Sequence, residues 1–289
     1  MPNTLHQQLT AHPTDPNLHV ALANHAAEFG NYFLANAEIR TAQSLGLDKS
    51  ESEEMRRTIE ALAPNLTDLN HNQFYRLKTL ADAVNRQRSD APLRILDVGG
   101  GRGELAAFLP DDHYCLVEPT INGMRGEDLP FEELSFDVVI ACHVLEHVRS
   151  DQREDFLDQL MSRANHALIL LNPFHVEGTS EKERLELIIQ ITNAEWAKEH
   201  LACELPRVEA VLDFAKKRSL NCQLSANGSM TTALALVFAE YFAAAARKSE
   251  EVKMMNRFWN TRLLGLMDSD DFPIGYLAVL TRNASLQSA

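Results

Sequence analysis

Residues 94–104, RILDVGGGRGE, constrain the fold of this chain more than any other segment. The largely apolar run 95–98 predicts a short buried strand, which a glycine-rich turn at 99–103 and a helix over 104–109 follow directly. In α/β proteins this order brings backbone N–H groups against a ligand. Glycine suits such a turn because a Cβ would block the close approach. The alternative is an ordinary turn that binds nothing.

The spacing of the glycines separates two classes of ligand. A dinucleotide turn, G-x-G-x-x-G, would need glycine at position 104, where this chain has Glu104. A carboxylate there would repel a pyrophosphate. The glycines instead follow G-x-G-x-G, at Gly99, Gly101 and Gly103, with Asp97 just before them. This pattern resembles motif I of the class I S-adenosylmethionine (SAM)-dependent methyltransferases, whose cofactor carries an ammonium and a sulfonium group that suit acidic neighbours.

Two further segments extend the resemblance. Residues 113–118 predict a second strand that ends at Glu118, a carboxylate able to accept both ribose hydroxyls of a nucleoside. Residues 126–148, GEDLPFEELSFDVVIACHVLEHV, resemble the "LPF…FDVV…LEH" stretch of SAM methyltransferases that act on small molecules. Order, spacing and residue type agree over residues 93–174.

The resemblance implies SAM as the cofactor. The residues that it implies for binding SAM are Asp97, Gly99, Gly100, Gly101, Gly103, Glu118, Asp128, Leu129 and Cys142. A helix predicted over 70–88 precedes the first strand, and in the family this helix lies over the methionine end of SAM. Tyr75 and Arg76 on it are therefore expected at the SAM carboxylate, although Tyr75 packing in the core and Arg76 in solvent fit the sequence equally well.

Two departures from the family pattern matter. Only nine residues separate Glu118 from Asp128, which predicts that the usual crossover helix is missing or reduced to a turn and leaves Asp128 as the nearest carboxylate for the adenine amino group. The triplet Asn172-Pro173-Phe174 follows the fifth predicted strand, whereas the N-P-P-Tyr clamp of amide and adenine methyltransferases follows the fourth. Methylation of nitrogen in DNA bases is therefore disfavoured.

The implied fold is α/β, a Rossmann-like, doubly wound, mostly parallel seven-stranded sheet with an N-terminal helical extension and helical insertions near the C-terminus. We expect a helical segment over 1–66 and a methyltransferase domain over 67–289, with a helical insertion and substrate lid at 229–268. Residues 16–49 resemble a single tetratricopeptide repeat. One repeat cannot bury its own face, so it should pack on the helix predicted at 51–62 or on a second subunit or protein partner; the alternative is a cap without a partner.

Methyl transfer to oxygen needs an aligned acceptor and a group that takes its proton. His143 follows the fourth strand directly, where the resemblance implies the methyl group, and is the candidate base or acceptor-orienting residue; the alternative is a hydrogen-bonded wall residue. The candidates for lining the acceptor pocket are His143, His147, Asn172, His175 and His200. The spacing of His175, Glu177 and His200 matches no zinc pattern, so no metal is expected.

The amino-acid composition limits which class of acceptor and which cellular compartment we expect. The net charge is −14, from 27 basic and 41 acidic residues, and no basic stripe offsets it, which argues against nucleic acid as a partner. No run of 18 apolar residues and no secretory signal are present, so we expect no membrane span. The four cysteines form no C-x-x-C pair, as expected for free thiols in the cytoplasm.

We therefore expect a SAM-dependent methyltransferase acting on a small-molecule or glycan-type acceptor, at oxygen. The glycan expectation comes from residues 256–273 and the stretch EHLACELP, which resemble bacterial methyltransferases of unassigned acceptor, some of which accompany glycosyltransferases. The alternative is an inactive SAM-binding interaction protein, and a third, weaker hypothesis is an oxidoreductase.

Overall fold

A computed structural model describes residues 3–89, 91–175, 181–267 and 273–282; Glu177 lies outside these ranges. The α-helices there are α1 Asn3–Ala11, α2 Pro16–Glu28, α3 Tyr32–Ser44, α4 Lys49–Leu62, α5 His71–Asn85, α6 Leu105–Phe108, α7 Arg153–Arg163, α8 Glu181–Thr192, α9 Glu195–Ala202, α10 Val208–Lys217, α11 Met230–Ala245 and α12 Ser249–Arg262. The strands are β1 Arg94–Val98, β2 His113–Val117, β3 Phe136–Cys142, β4 Ala164–Asn172, β5 Leu220–Asn227 and β6 Gly275–Arg282.

The described residues form one six-stranded sheet in the order β2-β1-β3-β4-β6-β5. β1 pairs in parallel with β2 and β3, and β5 pairs antiparallel with β6. The predicted mixed α/β fold is confirmed, whereas the described residues form six strands and the predicted seventh is not confirmed. The short segment 119–127 contains turns and one end of an isolated bridge, Arg125 to Asp128.

The chain divides into two compact units. The first unit comprises Met1–Pro64, Leu80–Cys142 and Asp155–Ile169, and the second comprises Asn65–Thr79, His143–Glu154 and Leu170–Ala289. Both units are therefore discontinuous along the chain.

In the first unit, helix α3 covers the outer edge of β2. Thr41 Oγ1 accepts the N–H of Leu116 at 2.9 Å, and Ser44 Oγ donates to the carbonyl of Tyr114 at 3.0 Å. Both backbone groups point away from β1, because residues 113, 115 and 117 bond toward it in a parallel pair. Side chains of α3 thus form the hydrogen bonds that a further strand would otherwise make with these backbone groups of β2. The edge of the sheet is therefore covered without another strand.

Buried polar residues complete this edge. Asn122 donates to the carbonyl of Leu116 at 2.8 Å and to Glu38 Oε1 at 3.0 Å, and its own oxygen accepts the N–H of Glu118 at 3.1 Å. Glu38 Oε2 lies 2.6 Å from Nδ1 of His19 on α2. Because Glu38, His19 and Asn122 are all fully buried, α2, α3 and the segment after β2 are joined by one polar network.

Arg40 of α3 is also buried, at 1 % exposed. Its guanidinium donates to the carbonyl of Ala106, to that of Leu109 at 2.6 Å and to that of Asp112 at 2.7 Å. These carbonyls belong to the short helix α6 and the turn after it, where helical partners run out. Arg40 therefore caps the helix that follows the glycine turn.

In the second unit, α11 and α12 are anchored to residues 66–71. Asn260 of α12 donates to the carbonyls of Thr67 and Leu69, both at 2.9 Å, and its side-chain oxygen lies 2.5 Å from His71 Nδ1. Arg257 pairs with both carboxylate oxygens of Asp68 at 2.8 Å. The predicted insertion at 229–268 contains the two helices α11 and α12, and the earlier helices α8 and α9 are separated at Asn193, which has φ +53°.

No helix in the described ranges has both the length and the apolar character needed to cross a bilayer.

Candidate functional site

The glycine turn lies in the first unit between β1 and α6. Gly99, Gly101 and Gly103 all have positive φ, at +70°, +56° and +70°, a conformation that residues with a Cβ rarely adopt. The N–H of Gly99 donates to the carbonyl of Val117 at 2.8 Å, which joins the turn to the end of β2. The turn and the tip of the second strand are therefore adjacent.

The glycines serve different purposes. A Cβ on Gly101 would meet nothing within 4 Å, so the backbone there faces open space. A Cβ on Gly103 would lie 2.2 Å from Cβ of Ala37 on α3, and one on Gly100 would lie 2.3 Å from Oδ2 of Asp97. Gly103 and Gly100 are thus required by close packing within the protein, and Gly101 is the member of the motif that leaves room for a ligand.

Glu118 is fixed beside this turn. Its Oε2 accepts the N–H of Gly101 at 3.1 Å, and its Oε1 accepts the hydroxyl of Thr120 at 2.8 Å and the N–H of Thr120 at 3.3 Å. The carboxylate is half-buried. It is therefore held at the tip of β2 within reach of the open side of the turn, in a position suited to receive a pair of hydroxyl groups.

Asp97 lies below the turn and is 2 % exposed. Its Oδ2 accepts a hydrogen bond from the Tyr114 hydroxyl, whereas its Oδ1 is buried without a hydrogen-bond partner. Burial raises the pKa of Asp97 to about 7, and the charges of Glu104 and Glu118 add to this, against a lowering by Tyr114. The side chain is a buried acid that a nearby cation would ionise.

The other three candidate cofactor residues of this unit, Asp128, Leu129 and Cys142, differ in how far they are exposed to solvent. Asp128 is exposed and its N–H closes a turn on the carbonyl of Arg125 at 3.2 Å. Leu129 is buried at 4 % exposed, and Cys142 is the last residue of β3 and half-buried. Asp128 keeps a free surface for a polar contact, whereas Leu129 contributes to the core.

In the second unit, His143 and Glu146 form a close pair. His143 Nδ1 lies 3.2 Å from Glu146 Oε1, and Asn172 donates to Glu146 Oε2 at 2.5 Å. Glu146 and Asn172 are fully buried, and the His143 side chain is 22 % exposed. His143 has φ +56°, and its N–H donates to the carbonyl of Leu171 at 2.8 Å. A left-handed backbone conformation is strained at a non-glycine residue, and residues with such strain are often found at functional sites.

His200 of α9 joins this pair. Its Nε2 lies 3.8 Å from Glu146 Oε1, and its ring centroid lies 5.7 Å from that of His147 and 5.6 Å from that of Trp196. His147 itself is exposed. The structure thus brings together His143, His200 and Asn172 from the predicted acceptor residues, with His147 at their margin.

The charges at this cluster follow from burial. Burial lowers the pKa of His143, and the positive charge of Arg76 lowers it further. Burial likewise lowers the pKa of His200. Burial alone would raise the pKa of Glu146, but His143 and Asn172 hold it below its usual value. At neutral pH the cluster therefore contains two neutral imidazoles and one carboxylate.

Three further candidates, His175, Arg76 and Tyr75, belong to this unit. His175 lines a cavity of about 270 Å³ whose other lining residues are Lys182, Leu185, His200, Leu201, Cys203, Glu204, Leu205 and Arg207. Arg76, expected at the SAM carboxylate, acts electrostatically on His143, and its buried Nε has no hydrogen-bond partner. Tyr75 is half-buried on α5. The cavity connects two of the histidines predicted to line the acceptor pocket.

Sequence reasoning misses Glu146. It lies within the motif stretch 126–148 without a role of its own, whereas its carboxylate is the centre of the cluster. The available signal is its spacing of three residues from His143, which a 3₁₀ turn at Leu145–His147 brings to the same side of the chain. No spacing could have added His200, because it lies 54 positions further along the chain than Glu146.

Comparison with known proteins finds one family match and several similar structures. The methyltransferase domain family matches residues 69–228, which is more than half of the chain. A SAM-dependent methyltransferase from Thermotoga maritima is similar, with 14 % identity, a TM-score of 0.47 and coverage of 82 % of this chain and 100 % of that one. Phosphoethanolamine N-methyltransferase 2 from Haemonchus contortus, solved with S-adenosylhomocysteine, gives 13 % identity, a TM-score of 0.46 and coverage of 71 % and 52 %.

No curated protein matches the chain significantly. The similarities to solved structures are too low to inform the chemistry of this chain, and the family match stands without them. The structure contains the strand, the glycine turn and the acidic tip of the second strand, and the family model matches more than half of this chain. The chain therefore belongs to the methyltransferase domain family.

Proposed function

We propose that this protein transfers the methyl group of SAM to a small-molecule acceptor, at oxygen. The observation that carries the proposal is the hydrogen bond between Gly101 N–H and Glu118 Oε2 beside open space at Gly101. This arrangement holds a carboxylate beside an open, glycine-lined surface, where the ribose hydroxyls of SAM would be received.

The residues of the first unit fit that cofactor. The unpartnered Oδ1 of Asp97 is an acceptor that lacks a donor, and a buried acid near neutrality responds to a cation such as the SAM ammonium or sulfonium. Glu118 would accept the ribose hydroxyls, and exposed Asp128 would accept from the adenine amino group. SAM supplies the electrophilic methyl group, so the protein has only to orient the acceptor and exclude water.

The proposed acceptor residues belong to the second unit. An alcohol must lose its proton during methyl transfer, and the cluster of His143, Glu146 and His200 contains the neutral imidazoles and the carboxylate for that task. His175 and Asn172 are proposed to line or support the acceptor pocket, and His147 its exposed rim. The glycan-type acceptor rests on sequence resemblance alone.

We propose that the N-terminal helices mainly stabilise the fold and that binding a partner is their secondary role. Five positions resemble the packing positions of a tetratricopeptide repeat. Ala23, Ala35, Ile39 and Ala42 are fully buried in the α2–α3 pair, whereas Gly30 is exposed in the turn between the helices. However, α3 also packs against β2 and α6, so little of it is left for a second subunit or protein partner. A cytoplasmic location is proposed from the free cysteines and the sequence composition.

The experiment that tests the function measures S-adenosylhomocysteine formed from SAM in the presence of sugars, alcohols, phenols and amines. We expect turnover with an oxygen acceptor, and a loss of at least about tenfold in Glu118→Ala. The matched control is Glu127→Ala, which removes a 59 % exposed carboxylate from the same segment and should leave turnover unchanged.

Two outcomes would redirect the proposal. SAM binding by calorimetry without turnover on any acceptor class would identify an inactive SAM-binding interaction protein. Heat on titration with a nicotinamide dinucleotide, and none with SAM, would favour an oxidoreductase instead.

A further inference from the structure

The three side chains His143, Glu146 and His200 have the geometry of a metal site that the sequence spacing does not reveal. His143 Nδ1 and His200 Nε2 lie 3.2 Å and 3.8 Å from Glu146 Oε1, and the three ligand atoms all lie within 4.8 Å of one another. Metal bonds of about 2.0–2.2 Å at tetrahedral angles put neighbouring ligand atoms roughly 3.3–3.5 Å apart. Small side-chain adjustments would therefore bring all three atoms onto one ion.

Glu146 supplies a second, independent observation. It is 0 % exposed, and its Oε1, the atom nearest to both imidazoles, has no hydrogen bond of acceptable geometry. A buried carboxylate oxygen without a donor is costly unless a cation compensates it. Its other oxygen is fixed by Asn172 at 2.5 Å, which orients Oε1 toward the two histidines. Such a hydrogen bond to a ligand side chain is typical of metal sites.

The donor set also suits a cation. Imidazole nitrogen and carboxylate oxygen are ordinary ligands of divalent transition metals. The positive charge of Arg76, which is close enough to act on His143, opposes the binding of a cation. It is a single charge, and three ligands would hold the dication against it. His143 also has a strained backbone, with φ +56°.

We propose that His143 Nδ1, Glu146 Oε1 and His200 Nε2 bind a divalent transition-metal ion of the Zn²⁺, Fe²⁺ or Mn²⁺ class. Two histidines and one carboxylate leave coordination positions open, as in catalytic rather than closed structural sites. His200 also lines the cavity of about 270 Å³, so an open position on that side is reachable by a small molecule. This inference departs from the sequence-based expectation of no metal.

The consequence for chemistry rests on the proposed function, although the binding of the ion does not. An acceptor hydroxyl bound at an open position would lose its proton to solvent more readily. Its oxygen would then attack the methyl carbon as the carbon–sulfur bond breaks, which yields a methyl ether, S-adenosylhomocysteine and one proton. His143 would act on the acceptor through the ion rather than as a free base.

The test uses the full chain, stripped with a chelator and dialysed, and titrated with Zn²⁺ and with Co²⁺. We expect one ion per chain by calorimetry and a Co²⁺ absorption band of a low-coordinate site. Glu146→Gln and His200→Ala should each weaken binding by more than about 100-fold, and Asn172→Ser by roughly 10–100-fold, because it only orients Glu146. The control is His166→Ala, an exposed histidine of β4, which should leave binding unchanged.

Circular dichroism on each variant separates loss of the site from loss of the fold, and Glu146→Asp provides a second variant that retains the carboxylate. Binding that is equal in wild type, Glu146→Gln and His200→Ala, all folded, overturns the proposal, as does the absence of binding by folded wild type to both ions. One-to-one binding without methyl transfer leaves the metal site standing and refutes the proposed function. Methyl transfer that persists unchanged after the ion is removed refutes the catalytic role.

Discussion

Thr41 Oγ1 on α3 accepts the backbone N–H of Leu116 on β2 at 2.9 Å, and both residues are buried. A helix side chain here takes the place of a neighbouring strand at the edge of the sheet. The N-terminal helices thus belong to the same unit as the glycine turn, and the strand that they cover ends next to Glu118.

Replacing Thr41 with Val removes this acceptor at nearly constant volume. We expect the free energy of unfolding to fall by about 1–3 kcal/mol, because the N–H of Leu116 is left buried without a partner. Urea denaturation measures the change. Thr58→Val, on the exposed side of α4, should change stability by less than about 0.5 kcal/mol. Equal effects of the two substitutions would contradict the role given to Thr41.

Arg40→Lys tests the cap on the glycine-turn helix. The ammonium of Lys cannot reach the three carbonyls of Ala106, Leu109 and Asp112 that the guanidinium fork serves together. We expect a loss of at least about 1.5–3 kcal/mol, the contribution of a hydrogen bond to a charged group. The control, Arg57→Lys, changes a 76 % exposed side chain and should be neutral in thermal unfolding. An Arg40→Lys protein as stable as wild type would refute the cap.

The raised pKa of Asp97 predicts a particular pH dependence of stability. Its pKa is about 7 in the folded protein against 3.8 for an unperturbed aspartate, so between these values the folded state binds more protons than the unfolded state. This contribution to stability is complete below about pH 4 and is lost as the pH rises through 7.

Asp97→Asn removes that dependence, since asparagine mimics the neutral acid and can still accept from Tyr114. The free energy of unfolding of the variant minus that of wild type should increase by on the order of 4 kcal/mol between pH 4 and pH 8, from a shift of about 3 units. Chemical denaturation of both proteins across this range measures the difference. Parallel stability curves would show that Asp97 titrates normally.

The elements that could be predicted lie on continuous stretches of chain. The β1 strand, the glycine turn and the acidic tip of β2 follow from local pattern, and the two insertion helices follow from helical periodicity. The sheet edge could not be predicted in this way. Thr41 and Leu116 are 75 positions apart, and nothing in either segment indicates that a helix will satisfy an edge strand.

The site shows the same limit. The motif assigns Gly103 to the cofactor, whereas its lack of a side chain is explained by Ala37 of α3, a contact made by tertiary packing. His143 is a candidate because it follows a strand, but its partner His200 comes from a distant helix. Sequence patterns locate residue types on elements, and the meeting of distant elements determines which of them act together.

Calorimetric titration of SAM into Gly101→Ala and Gly30→Ala tests the central claim most directly. Gly101 has φ +56° and Gly30 has φ +72°, and an added Cβ would meet nothing within 4 Å at either position. Each substitution should therefore introduce a similar backbone strain of about 1 kcal/mol. We expect wild type and Gly30→Ala to bind one SAM per chain with equal affinity, and Gly101→Ala to bind at least about tenfold more weakly. Undiminished affinity in Gly101→Ala, or no binding by folded wild type, would contradict the claim that this turn holds the cofactor.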